Sequence, residues 1–255
     1  MIIISVVCQK GGVGKTTTTI NLASVLSKKG LKTLIIDTDP QGNVSTYLNQ
    51  NKNSELTTST TQILDGEKDI EPIKVFENLY LIPSNIDIKK HNSEKIVGGS
   101  KLRNIRQNEK IKMFDWIFID TPPTMSSLVQ EALSTSDYYF IPSKPEFLAV
   151  EGVGQAMSFA KQTISEVPHT NPYFLGVVLN QVDTRRASYQ DLVLELKQIL
   201  SDKLFKTHIS QLTEIADSPL YAKTVLDFNE QSKARIEFEE LSNELLDRVG
   251  LWKER

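Results

Sequence analysis

The stretch VCQKGGVGKTTTT, Val7 to Thr19, decides how the rest of this chain is read. Before it, Ile2 to Cys8 are almost continuously apolar and rich in β-branched residues, the pattern of a strand covered on both faces in a parallel sheet. Within it, Gly11, Gly12 and Gly14 let the backbone turn tightly and bring its N–H groups against a ligand. From Lys15 onward the spacing is helical, with Ile20, Leu22, Ala23, Val25 and Leu26 as apolar positions and Gly30 closing the element. Strand, glycine loop and helix N-terminus together form an anion cradle, because the loop amides and the helix dipole both favour phosphate. In such a cradle Gly11, Gly12, Val13, Gly14, Lys15, Thr16 and Thr17 surround the phosphates. Lys15 is expected to reach the β- and γ-phosphates, and the Thr16 hydroxyl to ligate Mg2+.

The common phosphate-loop pattern G-x-x-x-x-G-K-[ST] is not met, since its first glycine would fall at Gln9. A second lysine, Lys10, heads the loop and has no role in a simple cradle. Lys10-Gly11-Gly12-Val13-Gly14-Lys15-Thr16-Thr17 resembles the deviant Walker A motif, K-G-G-x-G-K-[ST]-[ST], of the ParA and MinD group of ATPases. That resemblance implies ATP as ligand and a nucleotide-sandwich homodimer in which Lys10 crosses to the partner's phosphates.

Lys32 to Asp37 (KTLIID) reads as a second buried strand, followed by Asp39 and the turn signals Pro40 and Gly42. Its carboxylates fall where a parallel strand ends, the usual ligand edge of an α/β sheet. The run DTDPQGN is similar to the second loop of ParA-type proteins, which implies that Asp39 positions or activates the attacking water and approaches Mg2+ through water. The same resemblance gives Asp37 the task of coupling the nucleotide state to the loop. Phe114 to Pro123 (FDWIFIDTPP) is an apolar, aromatic strand delivering Asp120, and resembles Walker B followed by a D-[TC]-P-P switch. By that likeness Asp120 acts on Mg2+, largely through a water.

Further strands are expected at Leu79–Pro83, Tyr138–Ile141 and Phe174–Asn180, with a helix from about Ala149 to Val167 in which Glu151-Gly152 also matches the family, and a short helix ended by Gly66. Family members place an adenine contact at the Asn180 position; a plain strand-end asparagine is the other reading. Arg185 and Arg186 fall where the family carries a DNA-contacting arginine. Two departures stand out: Ile209-Ser210-Gln211 replaces the family's I-P-R, and Glu214 aligns with a second family arginine that contributes to DNA binding. From Lys89 to Lys112 eight basic residues face only Glu94 and Glu109, on one or two expected surface helices. They are either a solvated face or a substitute DNA surface. Helical periodicity from Asn229 to Val249 ends the fold, with Gly250 expected to stop it.

Strands alternate with helices, so the expected fold class is α/β: a P-loop NTPase fold with a mostly parallel twisted sheet, helices on both faces, and one domain over residues 1–255. The 255 residues are 39% hydrophobic and 24% charged, carry a net charge of −3, and contain no apolar run near bilayer length. Cys8 is the only cysteine and reads as a small core residue, which rules out a disulfide framework or a cysteine metal site within one chain. The histidines 91, 169 and 208 match no metal-ligand spacing. An electron-transfer ATPase of the nitrogenase iron-protein kind, which needs cluster cysteines, does not fit. A MinD-type membrane-cycling ATPase would need a C-terminal amphipathic helix. Leu245, Leu246, Val249, Leu251 and Trp252, with Lys253 and Arg255, sketch one, which Gly250 interrupts and Glu244 and Asp247 oppose. With DPQGN favouring ParA, the resemblance implies a small ParA-type ATPase without an N-terminal helix-turn-helix domain, since the first strand starts at once and leaves no room for a signal peptide. The implied setting is cytoplasmic and nucleoid-associated. The implied partners are nonspecific DNA and a centromere-binding ParB-type activator, with no membrane.

Overall fold

In the computed structural model, the described residues are 1–50, 58–93, 96, 99–146, 148–185, 187–228 and 230–253. Seven strands form one sheet: β1 (Ile2–Val6), β2 (Thr33–Asp37), β3 (Ile73–Phe76), β4 (Leu79–Ile82), β5 (Trp116–Asp120), β6 (Tyr138–Ser143) and β7 (Tyr173–Leu179). Their spatial order is β3-β4-β2-β5-β1-β6-β7, and every pair is parallel except β3 with β4. The central strands are apolar throughout because both faces are covered. Ile4, Val6, Ile35, Phe118 and Phe140 pack on one side, while Ile3, Leu34, Ile36, Ile117 and Ile119 pack on the other. Helix α1 (Lys15–Lys28) lies on the first side against the C-terminal helix, in a core that includes Ile20, Leu26, Phe238 and Leu241.

The remaining helices are α2 (Asn43–Tyr47), α3 (Thr60–Asp65), α4 (Glu109–Lys112), α5 (Ser127–Thr135), α6 (Ala149–Glu166), α7 (Ala187–Leu200), α8 (Thr213–Asp217) and α9 (Lys233–Lys253). α9 runs through Gly250, where the sequence pattern suggested a stop. Gly250 is exposed, so its cost is that of a surface glycine, about 1 kcal/mol, while buried Leu245 and Val249 hold the helix to the core one turn earlier. Expected helices between Ser84 and Lys112 are instead two 3-10 turns, Ile86–His91 and Leu102–Gln107, followed by the four-residue α4. Ile88, Leu102, Ile105 and Ile111 pin each piece to the core, too far apart in sequence to sustain one amphipathic stripe. The hairpin strand β3 has no counterpart in the expected elements.

At the other sheet edge, β7 is closed off by the segment that follows α7. Leu204 and Ser210 make parallel bridges to Val177 and Val182. Gly176 has φ +138°, and a Cβ there would overlap the Lys203 carbonyl, so only glycine admits this crossing. Arg248 of α9 ties the seam: its guanidinium donates to the carbonyls of Leu175 (2.9 Å), Asp202 (2.8 Å) and Leu204 (3.0 Å), pairs with Glu244, and stacks 3.9 Å from the Phe205 ring centroid.

Candidate functional site

The C-terminal ends of three adjacent strands meet at one level. Asp37 of β2 is paired in register with Asp120 of β5, which is paired with Val6 of β1. The glycine loop starts just beyond Val6, so sheet register alone brings the loop and both carboxylates together. Sequence distance plays no part in this.

The loop is held from below. Asn180, at the end of β7, donates its amide to the Val13 carbonyl (2.9 Å) and to Thr18 Oγ1 (2.8 Å), and Gln181 donates to the Gly12 carbonyl (2.7 Å). Gly14 has φ +87°, and a Cβ on it would lie 2.9 Å from the Asn180 amide nitrogen. Above the loop the situation reverses: Gly11 and Gly12 are exposed, with nothing within 4 Å of where a side chain would begin. A cradle braced underneath and open on top fits a phosphate chain. Asn180 is buried, and its Oδ1 has no hydrogen-bond partner among the described residues, so the residue serves the loop with one end and keeps an unused acceptor at the other.

Four ionisable side chains converge on the cradle. Lys15 is 7% exposed and its Nζ lies 3.4 Å from the Lys10 carbonyl. Asp120 is fully buried and accepts from Thr16 Oγ1 (2.6 Å) and Thr19 Oγ1 (3.1 Å). Burial pushes its carboxyl from 3.8 up to about 6, against the pull of Thr16 and the Lys15 charge. Asp37 is pushed well above its ordinary value, by burial first and by the nearby charge of Asp120 second. Its oxygens accept from the backbone amides of Asp39 (2.9 Å) and Val44 (3.2 Å), so it braces the loop that carries Asp39. Asp39 in turn accepts from the Gln41 amide (2.9 Å) and lies 3.4 Å from the Asn43 side-chain amide. Two residues apart on a strand, the two aspartates would share a face; here the turn folds Asp39 back over Asp37.

This donor set suits Mg2+ rather than a cation that needs a complete protein cage. Among the described residues no group of three ligating side chains forms a ready metal site. One hydroxyl and one or two carboxylates, completed by phosphate oxygens and water, is the arrangement that Mg2+ prefers. Thr16 and Asp120, already 2.6 Å apart, would hold it, and a bound cation would offset the burial that raises the Asp120 pKa. Thr17, half-buried next to Thr16, gives its carbonyl to Asn21. Cys8 is buried with its thiol pKa raised by burial, as a core residue should be.

Lys10 is not directed across an open face. Its Nζ pairs with Glu146 at 2.6 Å, and Lys144 takes the other Glu146 oxygen at 3.0 Å. These two lysines hold the Glu146 carboxyl below its ordinary value. Glu146 lies in the loop between β6 and α6, 136 residues from Lys10, and no motif linked the two. Arg185 is 87% exposed and grips Asp183 with two nitrogens at 2.8 and 3.0 Å; Arg186 lies outside the described residues.

Both departures from the family pattern have local reasons. Ser210 donates its amide and hydroxyl to buried Glu237 (2.7 and 2.6 Å), and a proline in its place has no N–H to give. Glu214 accepts from the Ala234 amide at 2.9 Å, placing a carboxylate at the N-terminus of α9. Four of the eight cations of the basic stretch are paired with carboxylates of the chain. Lys90 pairs with Asp65, Arg106 with Asp137, Lys110 with Asp69 and Glu71, and Lys112 with Glu109, while Arg103 donates to the carbonyls of Ser134 and His169. Lys95 lies outside the described residues.

Comparison with known proteins agrees with this geometry. A family model described as an AAA domain matches residues 1–173. The sporulation initiation inhibitor protein Soj of Bacillus subtilis is 31% identical over 248 residues, covering 95% of this chain and 97% of its own length. The chromosome partitioning protein ParA of Caulobacter vibrioides is 30% identical over 258 residues, covering 96% and 94%. A plasmid partition protein from Borrelia burgdorferi, solved with bound AMPPNP, superposes with a TM-score of 0.79 at 25% identity, over 97% of this chain and 99% of that one. With its glycine loop, its strand-end aspartates and these relatives, the chain belongs to the Soj/ParA family of partitioning ATPases.

Proposed function

We propose that this chain, as one ATPase unit over residues 1–255, is a partitioning ATPase that binds and hydrolyses ATP with Mg2+, dimerises in the ATP state, and binds DNA without sequence preference. ATP and Mg2+ are its cofactors, and the nucleotide lies over Gly11–Thr17. The carrying observation is the hydrogen bond from half-buried Thr16 to buried Asp120 beside an open glycine loop, with Asp39 one loop away. Lys15 neutralises the β- and γ-phosphates, and Thr16 with Asp120 would hold the Mg2+, which when bound would supply charge neutralisation at the phosphoryl oxygens. Asp39 accepts a hydrogen bond from the attacking water and orients it, while Asp37 keeps that loop in place. Asn180 braces the loop and offers its free Oδ1 to the base.

In the homodimer Lys10 leaves Glu146 and engages the partner's phosphates. Dimerisation doubles the cations offered by Arg185 and Arg186, so ATP raises affinity for duplex DNA by avidity. A centromere-binding ParB-type protein resets the cycle by stimulating hydrolysis, and the cargo is DNA of a plasmid or chromosome. The protein works in the cytoplasm on the nucleoid, and among its described residues no helix is long and apolar enough to cross a membrane.

The test is light scattering and DNA retention with and without ATP. Lys10→Ala should bind ATP yet stay monomeric, and Arg185→Ala with Arg186→Ala should dimerise yet release duplex DNA. An unaltered ATP-dependent dimer in Lys10→Ala removes the trans role of Lys10. A wild-type ATP dimer that does not retain nonspecific DNA at low salt removes the DNA-cargo reading.

A further inference from the structure

Thr19 lies one turn into α1 and is fully buried, as is Asp120 of β5 beside it. Nothing in the phosphate-loop motif, which ends at Thr17, asks for a hydroxyl at this position. A β-branched residue is a poor choice for a helix interior, and a buried hydroxyl is costly unless it finds a partner. Valine has nearly the same shape and would fill the space without that second cost. The Thr19 hydroxyl has two acceptors within reach: the Lys15 carbonyl at 2.9 Å and Asp120 Oδ1 at 3.1 Å.

One proton does not serve both acceptors equally, and their needs differ. The Lys15 carbonyl belongs to the helical ladder of α1, where a backbone amide satisfies it, so the side chain adds little there. Asp120 is an acidic group taken out of water, and each hydroxyl donated to it offsets part of what burial costs its charge. The two hydroxyls it receives are divided between its oxygens: Thr16 Oγ1 lies 2.6 Å from Oδ2, and Thr19 Oγ1 lies 3.1 Å from Oδ1. Both come from one helix, three residues apart and so on one face. The backbone of Asp120 is fixed separately, because its carbonyl accepts from the Thr38 amide (2.9 Å) and the Thr38 hydroxyl (2.7 Å). A carboxylate held at one oxygen can swing about its Cβ–Cγ bond. Held at both by the same helix, it keeps one orientation.

Thr16 and Asp120 are the residues that would hold Mg2+. Thr16 is half-buried, at the open side of this pair, whereas Thr19 grips the opposite carboxylate oxygen from a position with no exposure at all. We infer that Thr19 is a positioning residue for the metal site: its hydroxyl holds Asp120 through Oδ1 and so keeps Oδ2 turned toward Thr16. Residues that orient a metal ligand without touching the metal are worth about ten- to a hundredfold in metal affinity. This rests on the assignment of Thr16 and Asp120 to Mg2+ made above, and it needs no contribution from a second subunit.

The experiment titrates Mn2+, a paramagnetic probe for the Mg2+ position, into the full chain carrying stoichiometric ADP, and reads free Mn2+ by electron paramagnetic resonance. Thr19→Val should bind Mn2+ about tenfold more weakly than wild type, with its affinity for ADP in EDTA unchanged. Thr19→Ser, which keeps the hydroxyl, should restore the wild-type value. In an Asp120→Asn background Thr19→Val should add no further loss, since the two side chains act as one unit. Thr19→Ala makes the same comparison if the valine variant does not fold. Wild-type Mn2+ affinity in Thr19→Val overturns the assignment. So does an equal loss of ADP affinity in EDTA, the mark of a helix that has merely shifted, and so does a loss that serine fails to restore. If Asp120→Asn itself binds Mn2+ like wild type, the underlying Mg2+ reading fails. A weakened Asp120→Asn beside an unaltered Thr19→Val leaves that reading standing and removes only the role of Thr19.

Discussion

Two lysine-bearing regions of this molecule treat charge in opposite ways. Around the glycine loop Lys15, Asp37, Asp39 and Asp120 are all buried, and two of the carboxyls are forced toward their neutral form. Between Ile86 and Lys112, Lys90, Arg106, Lys110 and Lys112 lie toward the surface and are matched by Asp65, Asp137, Asp69 with Glu71, and Glu109. The comparison teaches that density of charge in the sequence is a poor guide to function here. The functional region is the one whose charges the chain leaves incompletely compensated.

The largest effect expected from breaking this contrast is at Lys15. Lys15→Ala should abolish ATP binding measured by equilibrium titration, since Lys15 is the side-chain cation expected to reach the β- and γ-phosphates from within the subunit; wild-type affinity would overturn the motif assignment. Next is Asp39→Ala, which should bind ATP and dimerise but lose stimulated turnover by about a hundredfold, within the range for removing a positioned proton acceptor. Unchanged turnover with the activator present would exclude Asp39.

Asp120 sharpens the comparison through pH. Its folded pKa lies above the unfolded value, so the unfolded chain releases its proton first and the ligand-free protein loses stability as pH rises from about 4 to about 6. At pH 7.5, Asp120→Asn should therefore melt higher than wild type without ligand, by about 1–2 kcal/mol, and should lose Mg2+-dependent hydrolysis. A lower melting point would mean that the Thr16 and Thr19 hydrogen bonds outweigh the burial penalty. The smallest effects belong to the surface stretch: Lys90→Ala and Lys112→Ala should each change stability by less than about 1 kcal/mol and leave DNA retention intact. A marked loss of DNA binding in either would return this stretch to the DNA surface.

The strand-loop-helix from Ile2 to Lys28, β2 and β5 were legible because a strand buried on both faces leaves an unbroken apolar run, and each ends at a carboxylate or glycine signal. The surface segment from Ser84 to Lys112 was not, because its order comes from single anchors such as Ile88 and Ile105 and not from a repeat. β3 alternates Ile73, Lys74, Val75 and Phe76 at a sheet edge, too short and too half-exposed for its period to register. Within the site, the residues that face phosphate were legible and their supports were not. Glu146 beneath Lys10, Glu237 beneath Ser210 and Tyr47 beneath Ser218 are contacts across 136, 27 and 171 residues, made by topology and carrying no local signature.

The Arg248 seam has a consequence for how this protein can be handled and how it can fail. A bare β7 would offer a row of unpaired amides and carbonyls, a template on which another chain could add a strand. One side chain in the last helix supports the segment that covers it, through three carbonyl oxygens and an aromatic ring. A chain cut short before Arg248, by a protease or by a premature stop codon, would keep its entire nucleotide cradle and still be prone to assemble edge to edge. The Arg248 end of the C-terminal helix thus bears on keeping the protein in solution, while the earlier turns of the same helix pack against α1, which carries the cradle.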